Sequence, residues 1–161
     1  MKLMLNAENY CTCGIVSAKP KAKPLERFAC HCETCRQHTG QAFSDECLFW
    51  FDDVKGAEED ELLFEKQSKF TPLSRGVCRA CGKPAISVLS VTSSLKFVLL
   101  PSVLLTASDE LPPLSAHVFY HRCVSEIQDN VPKYRGYLAS QLATQWHILK
   151  ACLKSKFHYH R

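Results

Sequence analysis

Residues 30 to 35 read Cys30-His31-Cys32-Glu33-Thr34-Cys35, and two smaller units of the same kind, Cys11-Thr12-Cys13 and Cys78-Arg79-Ala80-Cys81, stand on either side of them. Seven of the ten cysteines fall in these units, while Cys47, Cys123 and Cys152 stand alone. A structural zinc site asks for four ligands in a tetrahedron with Zn–S distances of ~2.3 Å, commonly delivered as two close pairs from separate pieces of chain. Cys11 and Cys13 would share one side of a strand, and Cys78 to Cys81 followed by Gly82 has the spacing of a zinc knuckle. These four make the expected closed site, with disulfides as the alternative. Cys30, Cys32 and Cys35 supply three ligands and leave a fourth position open, the feature that separates catalytic from structural zinc. Cys47, His31 or His38 could instead fill that position, and three metal-free thiols could equally serve as a redox switch.

Metal is preferred over a disulfide scaffold because the opening residues, Met1 to Tyr10, hold only the short Leu3-Met4-Leu5 apolar run, well below a secretion signal. The expectation is a cytoplasmic protein. Its most apolar stretch, Phe97 to Leu105, is broken by Pro101 and falls far short of the ~20 residues that span a bilayer, so it reads as a buried strand. The formal charge of +4 counts every thiol as neutral; seven thiolates and two dications take three charges off it. So small a surplus argues against nucleic-acid and membrane partners and leaves a small-molecule partner as the expectation. Nothing in the sequence sets the oligomeric state.

Outward from the cysteines the pattern is mainly β. Leu25 to Cys32 reads as a strand carrying Phe28 and Cys30 on one face, entered through a hairpin at the turn Lys19-Pro20-Lys21-Ala22-Lys23-Pro24. Ala42 to Phe51 is a core strand. Glu58 to Glu61, then Leu62-Leu63-Phe64, Phe70 and Val77 suit a hairpin leading to Cys78. Ile86 to Leu100 and Val118-Phe119-Tyr120 supply further strands. The tail changes period: Leu138, Leu142, Trp146, Leu149 and Leu153 recur at three- or four-residue steps, predicting a closing helix with one apolar face. Its basic residues, Lys150, Lys154, Lys156, His158, His160 and Arg161, read as a solvated flank. The lone Cys47, Cys123 and Cys152 read as small buried hydrophobes, and His117-x-x-x-His121 is spaced too widely on a strand for a metal pair.

The order C-x-C-G, C-H-C-x-x-C-R-x-x-T-G-x-A-F, C-x-x-C-G, present as Cys11 to Gly14, Cys30 to Phe43 and Cys78 to Gly82, resembles the glutathione-dependent formaldehyde-activating enzyme family, which also includes centromere protein V. His117-Val118-Phe119 and Asp129-x-Val131-Pro132-x-Tyr134 extend the similarity to residues 8 to 135. The resemblance implies an Mss4-like fold of coiled antiparallel sheets over residues 1–135; residues 136–161, with the helix expected from their periodicity, lie outside the family motif as a C-terminal helical extension of the same domain. It implies zinc on Cys11, Cys13, Cys78 and Cys81, and a second zinc on Cys30, Cys32 and Cys35. It also implies carbon-sulfur lyase chemistry, in which glutathione and formaldehyde combine as S-hydroxymethylglutathione or that adduct breaks down. An open position on thiolate-bound zinc suits this, because it can accept a substrate thiol and remove its proton, with His31 or His38 as candidates to carry that proton. The competing expectations are a non-catalytic zinc-binding interaction module and a thiol redox sensor.

Overall fold

A computed structural model describes residues 7–16, 18–55, 59–67, 69, 71–105 and 111–158. The Leu3-Met4-Leu5 run, Glu58, Phe70, His160 and Arg161 lie outside these residues. In chain order the elements are β1 (Lys19–Pro20), β2 (Glu26–Cys30), α1 (Glu33–Thr39), β3 (Ser44–Trp50), β4 (Val54–Lys55), β5 (Leu62–Glu65), β6 (Leu73–Cys78), β7 (Pro84–Ser90), β8 (Lys96–Pro101), β9 (Ala116–Val118) and α2 (Tyr137–His158), with short 3-10 turns between some of them. Seven strands form one sheet in the order β5-β6-β7-β8-β3-β2-β9, and β1 with β4 forms a second, two-stranded one. The fold is mainly β with a C-terminal helix.

The period-two alternation of β3 assigns the two faces of the large sheet. Cys47 and Phe49 turn into a core shared with Ile86, Val98, Leu100, Leu62, Cys11 and Cys78, while Ser44, Glu46 and Leu48 turn to the other face. Burying Phe49, Leu62 or Ile86 stabilises the fold by roughly 1.5–3 kcal/mol each. All pairings in the sheet are antiparallel except β2 with β9, where Phe28 lies beside Ala116 and Cys30 beside Val118. A second, smaller core forms there from Phe28, Ala116 and Val118, with Tyr134 and, from α2, Ile148 packed on it.

Three sequence expectations need correcting. Cys11 and Cys13 lie in irregular chain rather than on a strand. No hairpin joins β1 to β2; β1 pairs with β4, and β2 is sandwiched between β3 and β9, because the apolar Phe28 and Ala29 are buried only between two neighbours. The closing helix forms, but turned over. Its small residues Ser140, Ala143 and Ala151 are buried against the body, whereas Leu138, Leu142, Trp146, Leu149 and Leu153 face outward. Small side chains allow close approach, and Ser140 adds a specific tie: its hydroxyl accepts the Phe119 N–H at 2.7 Å. Phe119 sits at φ 54°, a left-handed backbone that turns the chain sharply at the end of β9. The hairpin leading to Cys78 is present as β5 and β6.

Candidate metal centre and cleft

The first cluster is assembled by backbone. The Cys11 N–H donates to Pro84 O at 2.7 Å, which fastens the N-terminal segment to the start of β7. The Cys78 N–H donates to Lys83 O at 2.9 Å and the Gly82 N–H to Cys78 O at 2.8 Å, closing the knuckle. Gly82 adopts φ 68°, which glycine takes without steric cost. Cys11 Sγ lies 3.5 Å from Cys13 Sγ, and Cys13 Sγ 3.7 Å from Cys78 Sγ. All four sulfurs, Cys81 included, lie within 4.8 Å of one another. Tetrahedral zinc with ~2.3 Å bonds asks for S···S edges of ~3.8 Å, so this donor set fits a closed thiolate site. Burial pushes the Cys11 thiol up to about 12, while the backbone N–H of Cys81 holds Cys78 down at about 7.

The second cluster straddles the end of β2 and the start of α1. Cys30 closes the strand, and Cys32 caps α1 by accepting the Cys35 N–H on its sulfur at 3.4 Å. The helix ends at Gly40 with φ 63°. The three sulfurs also lie within 4.8 Å of one another. The neighbouring Cys30 and Cys35 thiols drive the Cys32 pKa down. Three thiol donors this close fit zinc with one position left for another ligand, and all three cysteines line a cleft.

The cleft measures about 730 Å³. The sheet lines it with Ser44, Glu46, Arg75 and Ser87 among apolar residues such as Leu48 and Leu99, and the three cysteines and Tyr137, Gln141, Thr144 and Ile148 of α2 complete the lining. Arg75, on β6, is buried and places Nη2 3.3 Å from Cys35 Sγ. Glu46 accepts a hydrogen bond from the Ser44 hydroxyl, and burial pushes its carboxyl above the usual range. Sequence reasoning missed both. The signal for Glu46 was faint: it follows Ser44 and Asp45 at the polar start of a strand that turns apolar only from Cys47 on.

Neither expected proton carrier reaches the cleft. His31 lies just past the end of β2 and turns into the body, where its Nε2 lies 2.9 Å from His117 Nδ1. His117 Nε2 in turn lies 2.9 Å from Asp129 Oδ2, and Asp129 pairs with Lys133. Both rings are 1% exposed and packed among Phe43 and Tyr120. Burial, with His117 and Arg36 nearby, lowers the His31 pKa to about 4, and burial lowers that of His38 to about 4. His121 stands apart from His117 and accepts the Gly136 N–H. Cys47 is a fully buried core residue, and Cys123 and Cys152 belong to neither cluster.

No helix among the described residues is long and apolar enough to cross a membrane. Comparison with solved structures finds the crystal structure of a Rhodobacter sphaeroides protein, 19% identical, covering 64% of this chain and 95% of that one at a TM-score of 0.44. No curated protein matches the chain significantly. The profile of the glutathione-dependent formaldehyde-activating enzyme matches residues 6–122, a span that holds both cysteine clusters, Glu46 and Arg75. The chain therefore belongs to the glutathione-dependent formaldehyde-activating enzyme family.

Proposed function

We propose that this protein is a zinc-dependent carbon-sulfur lyase that makes or breaks the adduct of a glutathione-type thiol with formaldehyde or another small carbonyl. The observation that carries the reading is the three-thiol cluster lining a cleft that also holds the buried Arg75 and the half-buried carboxyl of Glu46. Cys11, Cys13, Cys78 and Cys81 would hold one zinc as a staple. Cys30, Cys32 and Cys35 would hold the second, which when bound supplies a fourth position where a substrate thiol loses its proton.

The chain's own groups do the rest. In adduct formation the substrate sulfur bonds to the carbonyl carbon while the carbon-oxygen π bond opens, placing negative charge on oxygen. Arg75, fixed beside Cys35, donates N–H bonds to that oxygen. Glu46, whose burial favours its protonated form, gives it a proton and takes it back in the reverse direction. Leu48, Leu99 and Ile148 keep the cleft partly apolar and limit competing water. The α2 wall offers Gln141 and Thr144 to the body of the thiol substrate.

The test is the breakdown of S-hydroxymethylglutathione followed by NMR. The purified protein should accelerate it over buffer, and Cys32→Ala should abolish the acceleration while retaining one zinc per chain. Full activity in Cys32→Ala would sink the mechanism. A protein holding two zinc ions but accelerating nothing would leave a binding module in its place.

A further inference from the structure

Strand register sets an aliphatic patch directly beside the polar groups of the cleft. Arg75 of β6 pairs with Ser87 of β7, and Ser87 pairs with Leu99 of β8. Two residues before Arg75, and therefore on the same face, Leu73 pairs with Leu89. Leu73, Leu89 and Leu99 all line the cleft and are half-buried, and Ile148 of α2 joins them. Each thus keeps apolar surface uncovered inside the cleft. Apolar walls next to a few convergent polar groups are the usual form of a small-molecule site, where the walls take the body of the ligand and the polar groups fix its reacting end.

We propose that the carbonyl component of the reaction is an aldehyde with an uncharged apolar tail, and that Leu73, Leu89, Leu99 and Ile148 hold the tail. The inference rests on the lyase reading of the site and deepens it. With the carbonyl oxygen at Arg75 and Glu46, formaldehyde would turn only hydrogen toward the leucines and leave them wet. An alkyl group on the same carbon covers them. Leu73 lies two residues from Arg75, roughly 7 Å along β6, a distance spanned by a chain of about six carbons.

Charge sets the tail's polarity. Among the described residues, the arginines of the cleft are Arg75 and Arg122 and its acids are Glu33 and Glu46. Arg75 lies against Cys35, Arg122 Nη1 is 3.6 Å from Glu33 Oε2, and His121 is tied to the Gly136 N–H. A tail ending in carboxylate or phosphate therefore meets leucine and no uncommitted cation. The bond changes need no redox partner. The thiol sulfur bonds to the aldehyde carbon, the carbonyl π pair moves to oxygen, and that oxygen takes the proton of Glu46. The proton released by the thiol restores Glu46. The product is a hemithioacetal, and the reverse sequence returns aldehyde and thiol.

The test compares aldehydes of rising length as adducts of one thiol, glutathione, on the zinc-loaded full chain. By exchange NMR, kcat/KM for adduct breakdown should rise about fourfold for each added methylene up to hexanal, the gain from burying one CH2 group. Leu73→Ser and Leu89→Ser should each cut the hexanal-to-formaldehyde ratio of kcat/KM by roughly 10-fold, and a ratio taken within one preparation is insensitive to any unfolded fraction. Hexanol, which cannot react, supplies a readout independent of turnover. It should give intermolecular NOEs to the methyl groups of Leu73 and Leu89 and bind more tightly than ethanol. Rates that stay flat with chain length, or hexanol that leaves those methyls untouched, overturn the proposal. If formaldehyde adducts turn over and hexanal adducts gain nothing, the tail alone falls and the lyase stands. If no adduct of any length turns over, the lyase reading falls and the aldehyde with it.

Discussion

Arg75 Nη2 stands 3.3 Å from Cys35 Sγ, which puts a buried guanidinium against a cluster of three thiols. The cation favours the ionised sulfur, so its removal should be felt before any metal binds. In the metal-free protein, Arg75→Leu is expected to raise the apparent pKa of the fastest-reacting thiol by about one unit, a tenfold change in thiolate at a given pH. The pH dependence of thiol modification measures it. In the zinc-loaded protein the same substitution should lower lyase kcat/KM by roughly 10- to 100-fold with the zinc count unchanged, as befits a donor to the developing oxyanion.

The two cysteine clusters should separate under mutation. Cys78 is fully buried and joins the knuckle to the Cys11 segment, so Cys78→Ser is expected to lose one metal and to lower Tm by roughly 10 °C or more. Cys35→Ser should lose the other metal at a much smaller cost in Tm. Metal analysis combined with calorimetry on both variants tests this, and equal destabilisation would contradict the division into staple and open site.

His31 makes the fold acid-sensitive. Its folded pKa of about 4 lies below the ordinary 6.5 of an unfolded chain, so the unfolded state binds a proton first as pH falls. Stability from this group is complete above pH ~6.5 and is lost progressively as pH drops toward 4. Between pH 7 and 5 the wild type should lose about 2 kcal/mol more than His31→Gln, read from denaturant midpoints on protein loaded with equal metal.

Gly76 is needed for space alone. A Cβ there would lie 2.3 Å from the carbonyl oxygen of Ile86, on the neighbouring strand β7. Gly76→Ala is expected to cost roughly 3 kcal/mol or more, because the oxygen belongs to backbone and cannot rotate away. Urea unfolding gives the value, and a loss under about 1 kcal/mol would mean that β6 and β7 move apart freely.

Much of the molecule was legible from residue spacing. The cysteine units announced two clusters because ligands close in sequence are close in space, and β3 and the β5–β6 hairpin followed from apolar alternation. What failed depended on contacts between distant segments. The turn at residues 19–24 looked like a hairpin, yet the partner of β1 is β4, more than thirty residues away, and no local pattern names it. The same holds for β2 with β9. Helix α2 was read correctly as a helix and incorrectly as to which face docks, since an apolar stripe signals burial without saying against what. Arg75 and Glu46 escaped notice because a lone charge acquires meaning only when the fold sets it beside three sulfurs.

The cleft is walled by two stretches of chain, one inside the family match and one beyond it. The thiols, Arg75 and Glu46 all lie within the family match, whereas Tyr137, Gln141, Thr144 and Ile148 come after it ends. Under the proposed reading, a change at 141 or 144 would reshape the cleft while leaving every sulfur where it was, so binding and metal content would vary independently.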